Sequence, residues 1–174
     1  SLKPFSLKDS LSTLKTLKYL DFEERLKIYG IFGGFPKYYS ALEQFNLSNK
    51  SYLEIISCFF LQENAPFENE VTSILKQEFG RRSSLYYSIL YSIANGKTKL
   101  NEIATNVKMR ESSITRHMLE LEEKFELIKS FKPIDNKKST IYLITHPLIF
   151  FWFKFIYEKF SDYEIKDKMK IIIN

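Results

Sequence analysis

The side chains best suited to contact a ligand lie between residues 110 and 117 and in a basic pair further along the chain. They are arginines, hydroxyls, a histidine and two adjacent lysines: Arg110, Ser112, Ser113, Thr115, Arg116, His117, Lys137 and Lys138. Arginine can bind guanine through two hydrogen bonds, hydroxyls can bind base edges, and cationic side chains contact phosphates. These residue types predict contact with duplex DNA, with Thr115 and Arg116 in the major groove and Arg110 and the lysine pair on phosphates.

The helices that would position these side chains follow one another in the order of a helix-turn-helix. Apolar residues at helical spacing predict a helix over 85–94. Two further helices follow, and a turn over 108–111 separates them. We predict that Asn101 caps the first of this pair and that Ser112 or Ser113 caps the second, because short polar side chains accept hydrogen bonds from the first turn of a helix.

A small sheet is expected to complete a winged helix. A brief first strand is predicted at Leu100, and two further strands over 127–132 and 140–144 form a hairpin with a polar, basic tip at 135–139. Glu126 stands where the third helix turns into the wing. A glycine is common there because the residue often needs a positive φ, and a glutamate in that geometry costs ~1 kcal/mol.

The segment before the winged helix predicts a bundle of helices without strands. Ser6, Asp21 and Ser51 are expected to cap three of these helices, and Pro36 fits the first turn of another. The chain therefore divides into a helical domain over 1–82, a winged helix over 83–145 and a C-terminal helical segment over 146–174, which is rich in aromatic residues. The predicted fold class is mainly α with a small β-hairpin.

Composition limits the classes of function. The chain has 174 residues and a net formal charge of +5, which permits a nucleic-acid partner without requiring one. The single cysteine, Cys58, lies in an apolar run, so we expect a core thiol, no disulfides and a cytoplasmic location. The most apolar stretch, 148–157, is interrupted by Lys154 and is shorter than the roughly 20 residues that a bilayer requires, so no membrane partner is expected.

No arrangement of residues predicts catalysis. His117 and His146 lie in different elements, and no cysteine or carboxylate cluster stands beside them at the spacing of metal ligands. The acidic pair Glu122-Glu123 lies on one helix, where adjacent side chains diverge by ~100°. We therefore expect no catalytic residues and no metal site in this chain.

One segment imitates a phosphate-binding loop, namely Gly96-Lys97-Thr98. The motif requires a glycine five residues before Gly96, and Tyr91 stands there. A phosphate loop also joins a strand to a helix, whereas this segment leaves a helix. We predict that it is the C-cap of that helix.

The turn Gly33-Gly34-Phe35-Pro36-Lys37-Tyr38 carries a family resemblance. Together with Lys3-Pro4-Phe5-Ser6, Tyr29-Gly30, the winged helix and the aromatic run at 150–155, it resembles the archaeal-type ATPases, which belong to the switch-type (AAA+/STAND) P-loop ATPases. The resemblance extends from Lys3 to about Tyr157. In that family a nucleotide-binding core precedes a helical lid and a winged helix. The resemblance therefore implies that 1–82 is a lid-like domain and that the core is missing from this sequence.

The same resemblance implies a nucleotide role for the glycine turn. In related switch ATPases a glycine-x-proline turn lays its proline against adenine, a role that falls on Gly34 and Pro36, with Tyr38 as a further candidate. ATP or ADP is then expected only when the missing core is present, and no cofactor is expected on this chain alone. The alternative is a helix N-terminus that needs its proline for geometry only.

Two functions remain open at this stage. The chain is either the DNA-binding regulatory part of a P-loop ATPase, or a docking module that reports nucleotide state without binding DNA. The predicted groove-facing helix also carries Glu111, Glu120, Glu122 and Glu123, and Glu126 follows it. These acids weaken the positive field on which DNA affinity depends, which counts against DNA contact without excluding it. The aromatic C-terminal helix is either buried between the winged helix and the lid, or it forms an interface with a missing domain or a second copy of the chain.

Overall fold

The computed structural model describes residues 4–80, 83–134 and 140–160. These residues form two compact units, one up to Glu70 and the other starting at Val71. The domain boundary expected after residue 82, like the one after residue 145, stays a prediction. The described chain is mainly helical with one two-stranded antiparallel hairpin, which confirms the predicted fold class.

The first unit is a set of short helices, three of which have a side-chain N-cap. Its elements are α1 (Leu7–Thr16), α2 (Phe22–Phe32), α3 (Pro36–Gln44), α4 (Tyr52–Ile56) with a π-helical continuation (Ser57–Leu61), and the first residue of α5 (Glu70–Phe79). The predicted N-caps Ser6, Asp21 and Ser51 each accept a hydrogen bond from the backbone N–H three residues further on. Pro36 occupies the first turn of α3, as predicted.

Aromatic rings form the centre of this unit. Phe32 has no exposed surface, and its ring lies 5.0 Å from Tyr38, 5.8 Å from Phe59 and 6.1 Å from Phe60 between centroids. Phe67 packs edge-on against Phe59 at 4.9 Å. Such ring pairs add stabilisation to the burial of their area. The cluster therefore fixes the end of α2 and the glycine turn that follows it.

The second unit contains the helix-turn-helix and the wing. Its elements are the rest of α5, α6 (Ser83–Ala94), α7 (Leu100–Asn106), α8 (Glu111–Leu119) with a π-helical continuation (Glu120–Lys124), β1 (Ile128–Phe131), β2 (Ile141–Ile144), α9 (Pro147–Phe155) and a 3-10 turn (Tyr157–Phe160). In the antiparallel hairpin Ile128 lies opposite Ile144 and Phe131 opposite Ile141. This order of elements is that of a winged helix.

The predicted first strand at Leu100 is wrong. Leu100 is the first residue of α7, and the strand is reduced to a single antiparallel bridge between Lys99 and Ile141. One further hydrogen bond extends the contact, in which the backbone N–H of Tyr142 donates to the carbonyl of Thr98 at 2.8 Å. Residues 98 and 99 therefore pair with the edge of β2 through one bridge and one hydrogen bond, without forming a strand.

The predicted caps of α7 and α8 are also wrong. Lys99 is the N-cap of α7, and the carboxylate of Glu102 satisfies that end from inside the helix by accepting from the backbone N–H of Lys99 at 3.2 Å. Asn101 therefore lies within α7. At α8 the N-cap is Arg110, so Ser112 and Ser113 lie in the first turn of the helix.

A turn between α7 and α8 is present as predicted, but it spans 107–110, because Glu111 is already the first residue of α8. It has the geometry of a helix C-cap. Lys108 has φ 57°, and its N–H donates to the carbonyl of Thr105 at 3.1 Å. The N–H of Met109 donates to Ala104 at 2.9 Å. These two bonds form a Schellman motif, which ends α7 and turns the chain toward α8.

The phosphate-loop imitation at 96–98 is a C-cap of the same kind, as predicted. Gly96 has φ 89°, and its N–H donates to Ile93 at 3.0 Å, while the N–H of Lys97 donates to Ser92 at 3.0 Å. The glycine is therefore needed to end α6, because its φ lies in the region that residues with a Cβ rarely adopt.

The aromatic helix α9 packs within the second unit. Five of its residues are buried, namely Leu148, Ile149, Phe151, Trp152 and Phe153. Tyr87 of α6 contacts the rings of Trp152 at 6.3 Å and Phe153 at 5.7 Å. Phe150 and Phe155 keep 41% and 43% of their surface exposed. Among the described residues, no helix is both long enough and apolar enough to cross a membrane.

Glu126 has φ 53°, so the predicted positive φ at the start of the wing is confirmed. We expect Glu126→Gly to raise the free energy of unfolding by ~1 kcal/mol, because glycine adopts this geometry without the Cβ penalty. Urea denaturation at equilibrium measures the change. Lys124→Gly, in the preceding π-helical turn, is the matched control and should lose ~1 kcal/mol. Equal effects of the two substitutions would refute the assigned backbone strain.

Candidate nucleic-acid interface

The outer surface of α8 carries most of the predicted site. Ser112, Ser113, Thr115 and Arg116 are exposed, and Arg110 is exposed at the N-cap. Ser112, Thr115 and Arg116 share one face because residues three and four apart in a helix are neighbours. The structure thus brings together five of the eight predicted DNA-contacting residues along one exposed helix and its cap.

His117 is placed differently from its neighbours. It is half-buried, and its ring packs edge-on against Tyr86 of α6 at 5.4 Å. Its Nδ1 lies 3.2 Å from the carbonyl oxygen of Ser113. His117 therefore contributes to the packing of α8 on α6. Its side chain is less accessible to a ligand than those of Thr115 and Arg116.

Arg116 takes part in a chain of polar contacts that begins on another helix. Its Nε donates to Oε1 of Glu120 at 3.0 Å, and the hydroxyl of Tyr86 donates to Oε2 of the same carboxylate. These contacts, the one from Tyr86 first, hold the pKa of Glu120 below its usual value. The side chain of Arg116 is 77% exposed. Because Arg116 makes this contact through Nε, both Nη groups keep donors for a ligand.

The acidic residues around α8 do not all oppose an anionic ligand. Residues 110–126 contain three basic and five acidic side chains. Glu120 is paired with Arg116, and Glu122 accepts from the backbone N–H and the hydroxyl of Ser130, both at 2.7 Å. Two of the five carboxylates therefore serve contacts within the unit, whereas Glu111 and Glu123 are exposed.

The two wing lysines of the predicted site, Lys137 and Lys138, lie outside the described residues. Other exposed lysines were not predicted from the sequence. Lys97 and Lys108 line an open cleft along α7, and Lys129 is exposed on β1. Position in the chain could have indicated two of them, because Lys97 lies in the turn before α7 and Lys108 in the turn before α8 of the predicted helix-turn-helix.

The glycine turn of the first unit has a structural explanation. The N–H of Phe5 donates to the carbonyl of Gly34 at 2.7 Å, and a Cβ at Gly34 would lie 2.1 Å from the carbonyl oxygen of Phe5. Tyr38 is 1% exposed, its hydroxyl is 3.4 Å from Oε1 of Glu70, and burial raises its pKa. Pro36 is half-buried. The adenine role proposed for Gly34, Pro36 and Tyr38 stays a prediction.

Comparisons with known proteins find nothing similar: no family model, no curated protein and no solved structure matches this chain. The resemblance to the switch-type ATPases therefore rests on the residues quoted for it and stays a prediction. Within the three described ranges, no group of three or more His, Cys, Asp or Glu side chains is arranged to hold a metal ion.

Proposed function

We propose that the second unit binds duplex DNA through the outer face of α8, as the regulatory part of a switch-type P-loop ATPase. The proposal rests on the exposure of the Arg116 side chain and on its contact with Glu120. Its side chain is 77% exposed and its Nε is held by Glu120, which leaves donors on both Nη groups. Arg116 also shares one face of α8 with Ser112 and Thr115. A planar guanidinium in this arrangement matches the two acceptors on the major-groove edge of guanine.

Phosphate contacts would come from the turns on either side of α7 and α8. Arg110 and Lys108 are exposed at the turn before α8, and Lys97 is exposed at the turn before α7. Cationic side chains at such positions bind the DNA backbone and fix the orientation of the groove-facing helix. The phosphate contacts predicted from the sequence for Lys137 and Lys138 remain part of this proposal.

The ATPase setting rests on the first unit. The segment Lys3-Pro4-Phe5-Ser6 and the glycine turn, which carry the resemblance together, are joined by the Phe5–Gly34 backbone hydrogen bond. In this proposal the helices of the first unit are the lid of a nucleotide-binding core. ATP or ADP would bind only with that core, through its own phosphate loop, and Pro36 would lie against the adenine.

We expect the whole chain to bind a random-sequence duplex of about 25 base pairs with an affinity that falls steeply between ~50 and ~200 mM salt. Arg116→Ala should weaken binding, because the contact to guanine is lost, and it should also lower the salt dependence, because one positive charge is removed from the DNA-facing surface. Fluorescence anisotropy of a labelled duplex measures both quantities. Lys15→Ala is the matched control, since it removes one exposed charge from α1 of the first unit.

The comparison of Arg116→Ala with Lys15→Ala tests whether this face of α8 binds DNA. Binding that does not respond to salt, or equal affinities of Arg116→Ala and Lys15→Ala, would contradict DNA binding by this face. Lys137→Ala provides a third comparison and should lower the salt slope without changing the preference between sequences, because a phosphate contact carries no base information.

A second candidate function is docking on a protein surface, which one feature of α8 favours. Met109 and Leu119 flank the helix and keep 39% and 49% of their surface exposed, beside the exposed acids Glu111 and Glu123. Apolar anchors with acidic surroundings suit a protein partner. This candidate predicts an association with the ATPase core that Leu119→Ser weakens and Arg116→Ala does not.

A further inference from the structure

We propose that Tyr86 and Glu120 are positioning residues, which hold the guanidinium of Arg116 so that its two Nη groups bind the O6 and N7 atoms of a guanine. The inference rests on the proposed DNA-binding function and goes beyond it, because it names residues that do not touch DNA and the base that they help to select. The three side chains form a chain of contacts from α6 through the π-helical turn to α8.

Tyr86 is a rigid starting point for this chain. Its side chain is 2% exposed, and its ring stacks on Phe79 at 4.6 Å and meets Phe125 edge-on at 5.5 Å. A ring packed in this way has one orientation, so its hydroxyl presents a fixed donor to Glu120. The carboxylate in turn receives a donor on each oxygen, one from Tyr86 and one from Arg116.

The contact to Nε determines which part of Arg116 is presented. An arginine side chain has many rotamers and loses them when it binds a base. Fixing Nε on a carboxylate removes much of that freedom before DNA binds. It leaves the far end of the guanidinium, which carries one N–H on each Nη, open to a ligand. The two Nη donors then match the two guanine acceptors, whereas adenine presents a donor in the place of O6.

The plain alternative is an ordinary surface ion pair between residues four apart on a helix. Such pairs contribute little and are common on exposed helices. The hydroxyl of Tyr86 distinguishes the two accounts, since it is a buried donor from a residue 34 positions away that locks the carboxylate in place. A surface ion pair needs no such anchor.

The proposal gives effects of opposite sign for one substitution. Glu120→Gln removes a negative charge near the DNA, so affinity for non-specific duplex should rise. The same change loosens Arg116, so discrimination in favour of guanine should fall. Tyr86→Phe keeps the packed ring and removes only the hydroxyl, so it should lower discrimination and leave non-specific affinity unchanged. A residue with only a structural role would move both affinities in the same direction.

The experiment uses the whole chain and a 25-base-pair duplex selected by the wild-type protein from a random pool. Each guanine is replaced in turn by 7-deazaguanine, which lacks the N7 acceptor, and the position that depends on Arg116 is identified with Arg116→Ala. At that position we expect the wild type to lose about tenfold in affinity. Tyr86→Phe and Glu120→Gln should each lose much less, and neither should change the response to 7-deazaguanine in the Arg116→Ala background.

The outcomes separate the inference from the function on which it rests. If the wild type shows no salt-dependent binding to any duplex, both are overturned. If it binds, and both variants keep the full tenfold loss at the replaced guanine, the positioning role is overturned and DNA binding stands. Exchange of the Arg116 Nε proton with water, followed by NMR on the free protein, gives a test without DNA. It should speed up in Tyr86→Phe, and an unchanged rate would overturn the inference.

Discussion

Gly34→Ala is expected to destabilise the first unit by ~3 kcal/mol, because overpacking against a fixed neighbour and a lost backbone hydrogen bond act together. A Cβ at this position would lie 2.1 Å from the carbonyl oxygen, 2.7 Å from the nitrogen and 2.9 Å from the carbonyl carbon of Phe5. All three are backbone atoms, so no side-chain rotation relieves the clash. The chain before α1 has to move away, and the 2.7 Å hydrogen bond from Phe5 to Gly34 breaks.

Gly30→Ala is the matched control for this prediction. Gly30 lies in α2 and is exposed, and a Cβ there meets no described atom within 4 Å. Alanine should stabilise the helix by ~0.5–1 kcal/mol, so the two substitutions have opposite signs. Urea denaturation followed by circular dichroism measures the difference. The fluorescence of Trp152, the one tryptophan in the sequence, reports the second unit separately.

The same pair of variants bears on the nucleotide role of the glycine turn. If Gly34 is present only to let a nucleotide approach, its replacement leaves the stability of the nucleotide-free chain unchanged. A loss of stability without any nucleotide shows that the glycine is required by Phe5. Near-equal stabilities of Gly34→Ala and Gly30→Ala would contradict the packing described for this turn.

The parts of the fold that could be predicted from sequence are those set by local chemistry. Ser6, Asp21 and Ser51 cap helices because their side chains reach a backbone N–H three residues away. Gly96 ends α6, and Glu126 shows the positive φ that its place before the wing requires. Each of these features depends on a few neighbouring residues, so a single sequence contains the information.

The N-caps of α7 and α8 were predicted wrongly because several neighbouring residues can begin each helix. Asn101 is a good N-cap, but Glu102 satisfies the end of α7 from inside the helix and moves the start to Leu100. Ser112 and Ser113 are displaced for a different reason, because the turn that ends α7 at Lys108 returns the chain to helix at Glu111. Propensity identifies the candidates for a cap, and the path of the neighbouring turn selects among them.

The candidate site also has one part that local sequence predicts and one part that depends on contacts distant in sequence. The residue types along α8 and the exposure of Ser112, Thr115 and Arg116 follow from helical spacing, which a sequence shows. The contact of Tyr86 with Glu120 joins two helices separated by 34 residues and depends on a π-helical turn at Glu120. Neither the pairing of α6 with that turn nor the turn itself has a signature in one sequence.

Phe153→Ala is expected to lower the free energy of unfolding of the second unit by ~3–5 kcal/mol, the usual cost of removing a buried phenylalanine ring. Phe153 is 1% exposed in α9, and its ring contacts Tyr87 at 5.7 Å, Trp152 at 5.0 Å and Tyr157 at 5.2 Å. The substitution leaves a cavity where α9 packs on α6. Urea denaturation followed by Trp152 fluorescence measures the loss close to the cavity.

Phe150→Ala provides the control on the same helix, because the same side chain is removed where 41% of its surface is exposed. Its loss should stay near ~1 kcal/mol, since less apolar area leaves water on folding. Equal losses for the two variants would show that α9 is not part of the core of this unit.

The expected difference has a consequence for the DNA-binding proposal, since α6 supports both α9 and, through Tyr86, the side chain of Arg116. A shortened chain that ends at Thr145 would lack α9, so α6 would lose the helix that packs on it. Its affinity for duplex DNA should therefore fall together with its stability.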